Sequence, residues 1–442
     1  MAKRNQVKNF ERVYSFIASP GSLLANFLAW QVIVISIYLA SREREKFEPL
    51  LSNGLYLGVV AIATLALTVH LFFIRTDKTF DKQDKIYLTV FSAPIVILYF
   101  SMFINHDFRS MQSLTLLFIL FLPIAIWKTI FSKKDADIFL KAILSFAVLN
   151  SIYSILQVLN VIPVAQINSR DLIIGAIDRP TGLLFNAFAM SYAAIISLSI
   201  GLVLMMRKSQ QKIYEVTIVV SSIISLVLSG TRTSIWLGLL IAVSIISIKK
   251  IKNLNHVKIY IPIMLIVLGV GGPFLLLALG HVTGNNEWAT LNGRTQMWSC
   301  VTEKANNFML IGVGLDDAFP PKFCAESGWF SNLRHPENMF LLAFVESGPL
   351  GFSAYAVLFI FAVIKSFASL NKRVILPLVI TLIFLLSNLI YVSLFHYLPF
   401  LPDRPADRGL FNFYVFYLIW IWIMKESKDR LEKKVQVNKR KN

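Results

Sequence analysis

Charge is scarce in this sequence. Asp, Glu, Lys and Arg make up 15% of its 442 residues, against about 25% in soluble domains. With 56% of the residues hydrophobic, that shortage excludes a single large soluble core, and the apolar content excludes a disordered chain. Cysteine is almost missing, with two residues, which rules out a disulfide-dense scaffold. No G-x-x-x-x-G-K-[ST] segment occurs, and no connection is long enough for a nucleotide-binding fold. An ATP-driven pump and an enzyme with its own nucleotide domain are therefore set aside. There is also no internal repeat.

What the chain has in abundance is long apolar runs. Twelve candidate spans can be read, at about 24–40, 53–74, 86–104, 114–131, 138–161, 184–206, 213–230, 233–248, 259–280, 338–364, 374–395 and 410–424. Each is long enough, or nearly so, to cross a hydrocarbon core of about 30 Å. The fold class expected is an all-α polytopic membrane protein of about 12 transmembrane helices with one large external loop. An even number of spans puts both ends on one side. If that side is the cytoplasm, most of the 43 Lys and Arg residues fall inside, as in RKSQQK at 207–212, KKIKNLNHVK at 249–258 and the tail from Lys425. The outer face is then close to neutral, as the positive-inside rule requires. The net charge of +18 thus orients the chain against anionic membrane lipids and does not indicate a nucleic-acid partner. SREREKFEP follows the first apolar run, without a small-residue cleavage site, so an uncleaved first helix is expected.

This gives four segments: a membrane bundle over 1–280 with about nine spans, an external loop over 281–337, the last three spans over 338–424, and a solvated basic tail over 425–442. The tenth span carries Gly348, Pro349 and Gly351, which predict a break. In the loop, Met297, Val301, Ala305 and Phe308 recur on one helical face from Gly293 to Met309, and Gly312 and Gly314 stop the pattern. Such a helix lies on the membrane surface or caps the bundle. Both cysteines, Cys300 and Cys324, fall in this loop. They pair if the loop is in an oxidising compartment and are otherwise free thiols. Without C-x-x-C spacing they do not suggest zinc.

The charges that stand out lie at one rim. Arg232, in SGTRTS, sits in a very short turn between two spans, where a charge is costly unless it is paired or useful. The plain alternative is an arginine snorkelling to the interface. Arg294 opens the loop helix, where free N–H groups attract anions, and Arg179 lies in the smaller external loop before the sixth span. For both, a solvent-facing charge is the alternative. His335, flanked by Arg334 and Glu337, lies where the long loop re-enters the membrane. A histidine there can take a proton from a hydroxyl near neutral pH, although a lone loop histidine is commonly a surface residue. Asp316-Asp317 reads as a polar turn rather than a metal pair. The spans are nearly free of charge, with Lys141 and Glu346 the main exceptions. Transporters place ionisable groups at the bilayer midplane, so a rim of arginines favours chemistry on an anionic lipid headgroup over transport by a flippase.

SGTRTSIWLGLL (229–240), NGRTQMW (292–298), FMLIGVGLDDAF (308–319) and HPENMFLLAFVESGPLG (335–351), in this order, resemble the O-antigen ligase and O-antigen polymerase superfamily. RPTGLLFNAFAM (179–190) resembles the arginine-glycine segment that precedes them there. The resemblance implies a GT-C-like helical bundle in the bacterial inner membrane, with its active site and 281–337 loop facing the periplasm. It implies a glycosyltransferase without metal or cofactor, taking a glycan from undecaprenyl diphosphate. The acceptor implied first is a hydroxyl of lipid A-core, with a polymerase or a protein O-oligosaccharyltransferase as alternatives. By resemblance Arg232 and Arg294 hold the diphosphate, His335 is the base or positions the acceptor, and Arg179 and Arg334 are supporting cations. The chain reads His335-Pro336-Glu337-Asn338 where the family often carries a second histidine.

Overall fold

The computed structural model describes residues 81–105, 127, 133–162, 180–184, 187–206, 212–250, 282, 294–303, 310–314, 338–370, 375–390, 419–425 and 427–428. Among them the regular structure is helical: α1 (Lys82–Ile104), α2 (Lys133–Val158), a 3₁₀ turn (Gly182–Leu184), α3 (Ala187–Met205), α4 (Lys212–Leu228), α5 (Arg232–Lys250), α6 (Arg294–Glu303), α7 (Met339–Leu370) and α8 (Leu376–Ile390). Three of these contain stretches long and apolar enough to span a membrane: Lys82–Ile104, Leu140–Val158 and Phe340–Ala368. Met190–Met205, Ser234–Ile246 and Leu376–Leu385 are shorter apolar stretches. The spans expected at 24–40, 53–74 and 259–280 lie outside the described residues, as does most of 114–131.

The described residues fall into two compact units. The first holds α1 up to Leu88, α2, α3, α4, the start of α5 up to Ile235, and the C-terminal turns at 419–428. Its centre is α3, buried continuously from Met190 to Gly201. Gly201 brings α3 against α4: a Cβ there would approach Val219 Cγ2 to 2.8 Å, and a small residue at such a contact lets two backbones close up. The polarity of α4 is inverted relative to a soluble helix. Glu215, Ser221, Ser222 and Ser225 are buried, whereas Ile213, Val216, Val220, Ile223 and Val227 are exposed. Water on the outside would penalise that arrangement, and lipid favours it. These helices are those of a membrane protein.

The ends of the helices follow from local chemistry. Asp81 and Asp84 form a reciprocal cap on α1, with Asp84 N–H donating to Asp81 Oδ1 (2.6 Å) and Asp81 N–H to Asp84 Oδ2 (3.3 Å). α2 closes with Asn160 in the left-handed region (φ 55). Asn160 N–H donates to Gln157 O and Val161 N–H to Leu156 O, the two bonds of a Schellman motif.

The tail expected to be solvated from Lys425 onward differs at its start, where Lys425, Ser427 and Lys428 are buried. Lys428 is ion-paired with Asp84 and, at 3.1 Å, with Asp81. Asp84 also accepts from Trp127 Nε1, whose ring stacks on Tyr87. A charge that would dissolve in water is held because a paired carboxylate awaits it. Burial pushes the Asp81 carboxyl up, but the Asp84 N–H, Lys428 and the Gln83 N–H outweigh this and hold it below its ordinary value of 3.8. Its stabilising contribution is therefore complete above about pH 3.8 and is lost as pH falls through the lowered value. Lys428→Met, which strands buried Asp84, is expected to destabilise the fold by about 3–5 kcal/mol, read as a lower melting temperature in detergent. An unchanged melting temperature would mean the pair contributes nothing.

The second unit holds α1 from Thr89, α5 from Trp236, α6, residues 310–314, α7 and α8. α7 is broken at Gly348 (φ 63, ψ −165), as Gly348, Pro349 and Gly351 predicted. Pro349 has no N–H to offer the carbonyl four residues before it. That carbonyl, of Val345, instead accepts from Val313 N–H (2.9 Å), and Glu346 O accepts from Gly314 N–H (3.1 Å). The 310–314 segment is thereby docked on the break. Ser101 Oγ of α1 lies 2.6 Å from both Ile311 O and Glu346 O and shares its one proton between them.

Candidate functional site

In the first unit the turn that precedes Arg232 is buried. Ser229, Gly230 and Thr231 are all inaccessible. Gly230 has φ 60, and its N–H donates to Val227 O. This left-handed step closes α4 and allows α5 to begin within three residues. Ser229 Oγ accepts from Thr231 N–H (3.3 Å), and Thr231 O receives Ile235 N–H, which makes Thr231 the cap of α5. Arg232 is then the first residue of α5. A cation in the first turn opposes the helix dipole, so its placement favours an anion at that point.

In the same unit, the segment after Arg179 is held against α2. Gln157 Oε1 accepts from Thr181 N–H (3.0 Å) and Gly182 N–H (2.9 Å), and Gln157 Nε2 donates to Thr181 Oγ1 (3.2 Å). Asn150 Oδ1 accepts from Leu183 N–H (3.0 Å), while Asn150 Nδ2 donates to Ser225 Oγ on α4 (3.1 Å). Ser191, on α3, is bonded to Ser234, on α5 (2.7 Å). Asn150 thus ties the segment after Arg179 to α4, and Ser191 separately ties α3 to the first turn of α5. Arg179 itself lies outside the described residues, and of Arg232 the backbone alone is described.

Arg294 likewise opens α6. The helix expected from Gly293 to Met309 is described as Arg294–Glu303, with Val301 buried as its apolar face requires. α6 lies against α7, and its Cys300 is disulfide-bonded. The one other cysteine of the sequence, Cys324, lies outside the described residues. Arg334 and His335 do too, but the chain that follows them is described. Asn338 Oδ1 accepts from Phe340 N–H (3.0 Å) and Leu341 N–H (3.2 Å), capping α7. His335 thus precedes by three residues the Asn338 cap of this helix.

Of the two in-span charges noted in the sequence, Lys141 is exposed and Glu346 is buried at the α7 break. Glu346 Oε1 meets no donor among the described residues. The residues that composition and motifs did not single out are Asn150 and Gln157. Their signal was two amides seven positions apart, on one face of a largely apolar span. Among the described residues no group of His, Cys, Asp and Glu forms a metal site.

Residues 217–356 match the family model described as O-antigen ligase. The matched stretch holds Arg232, Arg294, Arg334 and His335, and begins after the segment around Arg179. This part of the chain is thus similar to that family, in agreement with the resemblance of its motifs. No curated protein matches the chain.

Proposed function

We propose that this protein is a glycosyltransferase of the periplasmic face of the bacterial inner membrane. It moves a polysaccharide from undecaprenyl diphosphate to a hydroxyl of lipid A-core. The family domain supports a ligase- or polymerase-type transfer. The observation that carries the reading further is Arg232, placed by a buried turn at the first position of α5, within that domain. An arginine at that position suits a diphosphate, whose oxygens match the planar fork of a guanidinium.

In this mechanism the acceptor O–H attacks the anomeric carbon as the bond from that carbon to the diphosphate oxygen breaks. His335 takes the hydroxyl proton. Arg232 and Arg294, with Arg179 and Arg334 in support, stabilise the charge that grows on the leaving diphosphate without a metal. Attack opposite the leaving group inverts the anomeric centre. The disulfide at Cys300 suits an oxidising compartment for the α6 loop.

The single dominant external loop at 281–337 favours the ligase over the polymerase. Deletion in the native host, with lipopolysaccharide and lipid-linked glycan resolved in parallel, separates the two. Lipopolysaccharide without O-chain, and long polymer accumulating on undecaprenyl diphosphate, is the expected result. Core bearing a single repeat unit would make the protein a polymerase. Glycan trapped on the cytoplasmic side would make it a flippase.

A further inference from the structure

We propose that Gln157 and Asn150 of α2 are positioning residues for the donor site, fixing the Thr181-Gly182-Leu183 turn and with it the point from which Arg179 reaches the diphosphate. This inference rests on the reading given under Proposed function. It starts from where the two amides spend their hydrogen bonds. Helices in a membrane bundle use polar side chains mainly to hold one another. Gln157 instead directs its side-chain oxygen to two successive backbone N–H groups of a turn and its nitrogen to the Thr181 hydroxyl. Asn150, two helical turns earlier, takes the next N–H, that of Leu183. Three consecutive backbone donors are thus claimed by two side chains of one helix.

The surroundings leave this turn little freedom. Gln157, Asn150 and Thr181 are buried to 1% exposure or less, so each bond broken would strand a polar group away from water. Gly182 adopts φ +58, and any Cβ there would collide with Asn150 Oδ1. Beneath the amides Ser154 Oγ donates to Asn150 O (2.6 Å). The Gln157 carbonyl is itself engaged by the Schellman closure of α2, so this residue is anchored through both its backbone and its side chain. Pro180, also buried, fixes its own φ and disfavours the helical region for the residue before it. Arg179 is two residues before Thr181 in the sequence, so this turn anchors the chain at most about 7 Å from it. A misplacement of about 1 Å near reacting groups can cost on the order of 100-fold in rate.

The test uses the full chain in membrane vesicles, with a lipid-diphosphate-linked glycan as donor and transfer measured against donor concentration. Gln157→Ala is expected to raise the donor KM about tenfold, with a smaller change in kcat. Arg179→Ala is expected to do the same. The double variant should be no worse than Arg179→Ala alone, since both changes remove one interaction. Independent, multiplying effects in the double variant, or a fall in kcat at constant KM, would overturn the positioning role. If Gln157→Ala does not accumulate, Thr181→Val, which removes the hydroxyl that Gln157 Nε2 donates to, is expected to raise KM about threefold. A normal KM in that variant would overturn the proposal as well. If Arg179→Ala is silent while Arg232→Ala abolishes transfer, this inference falls and the transferase stands. If the unmodified protein transfers nothing, the transferase reading fails first.

Discussion

Arg232→Ala is expected to lower glycan transfer about 10²–10³-fold, the usual cost of removing one preorganised group that stabilises a developing charge. Stability should move the other way. Arg232 is the first residue of α5, where a cation faces the positive end of the helix dipole. Removing it relieves about 0.3–1 kcal/mol. The turn before it is closed by bonds within residues 226–235 that involve Ser229, Gly230 and Thr231. The variant should therefore accumulate normally and melt at the same temperature as the parent or slightly above it. Arg232→Lys keeps the charge but loses the bidentate fork, and should fall between the two in activity. An arginine that merely snorkels to the interface predicts the opposite pair of results, with transfer intact. Measuring transfer and thermal unfolding on the same preparation separates the two roles.

The largest structural effect is expected from Gly348→Ala. At φ 63 and ψ −165 the residue sits in a region that is essentially closed to side chains, which costs about 1–3 kcal/mol. A Cβ would also collide with the Leu310 carbonyl and come within 2.7 Å of Gly312 N. To avoid this, the 310–314 segment must leave α7 and abandon the bonds from Val313 N–H to Val345 O and from Gly314 N–H to Glu346 O. The sum is about 3–5 kcal/mol, a large part of a typical folding stability of 5–15 kcal/mol. The expected outcome is a several-fold drop in the level of protein in the membrane and aggregation on extraction. Leu350→Ala, at an exposed site two residues away, should behave as the parent does. A Gly348→Ala protein that accumulates and melts normally would show that the 310–314 segment does not depend on this docking.

Much of this was legible in the sequence because apolar length and glycine chemistry act locally. The apolar runs at 86–104, 138–161 and 213–230 became α1, α2 and α4, each with ends shifted by a few residues. The break at Gly348-Pro349 was also readable, since positive φ and a missing N–H leave few alternatives. Two features were not. Lys425 and Lys428 read as the start of a solvated basic tail, and nothing near them in sequence announces Asp84, more than 300 residues earlier. Asn150 and Gln157 read as tolerated polar residues in a span, because their partners are backbone N–H groups, which carry no sequence signature. Of the proposed site, motif order points to Arg232 and Arg294 by resemblance, whereas the amides that hold the turn after Arg179 are seen only in the fold.

The docked break in α7 also has a bearing on biosynthesis. The Ser101 hydroxyl and the Glu346 carbonyl that it meets are 245 residues apart in the chain. At about 5–20 residues per second of translation, α1 waits on the order of 10–50 s for that partner to be made. During this interval the Val345 and Glu346 carbonyls do not yet exist, so the 310–314 segment leaves the ribosome without its eventual acceptors. The broken helix must then close on a segment made before it. A stalled or truncated product ending before Val345 would therefore leave the Val313 and Gly314 amides without these acceptors, a mark by which quality-control proteases could tell it from the finished protein.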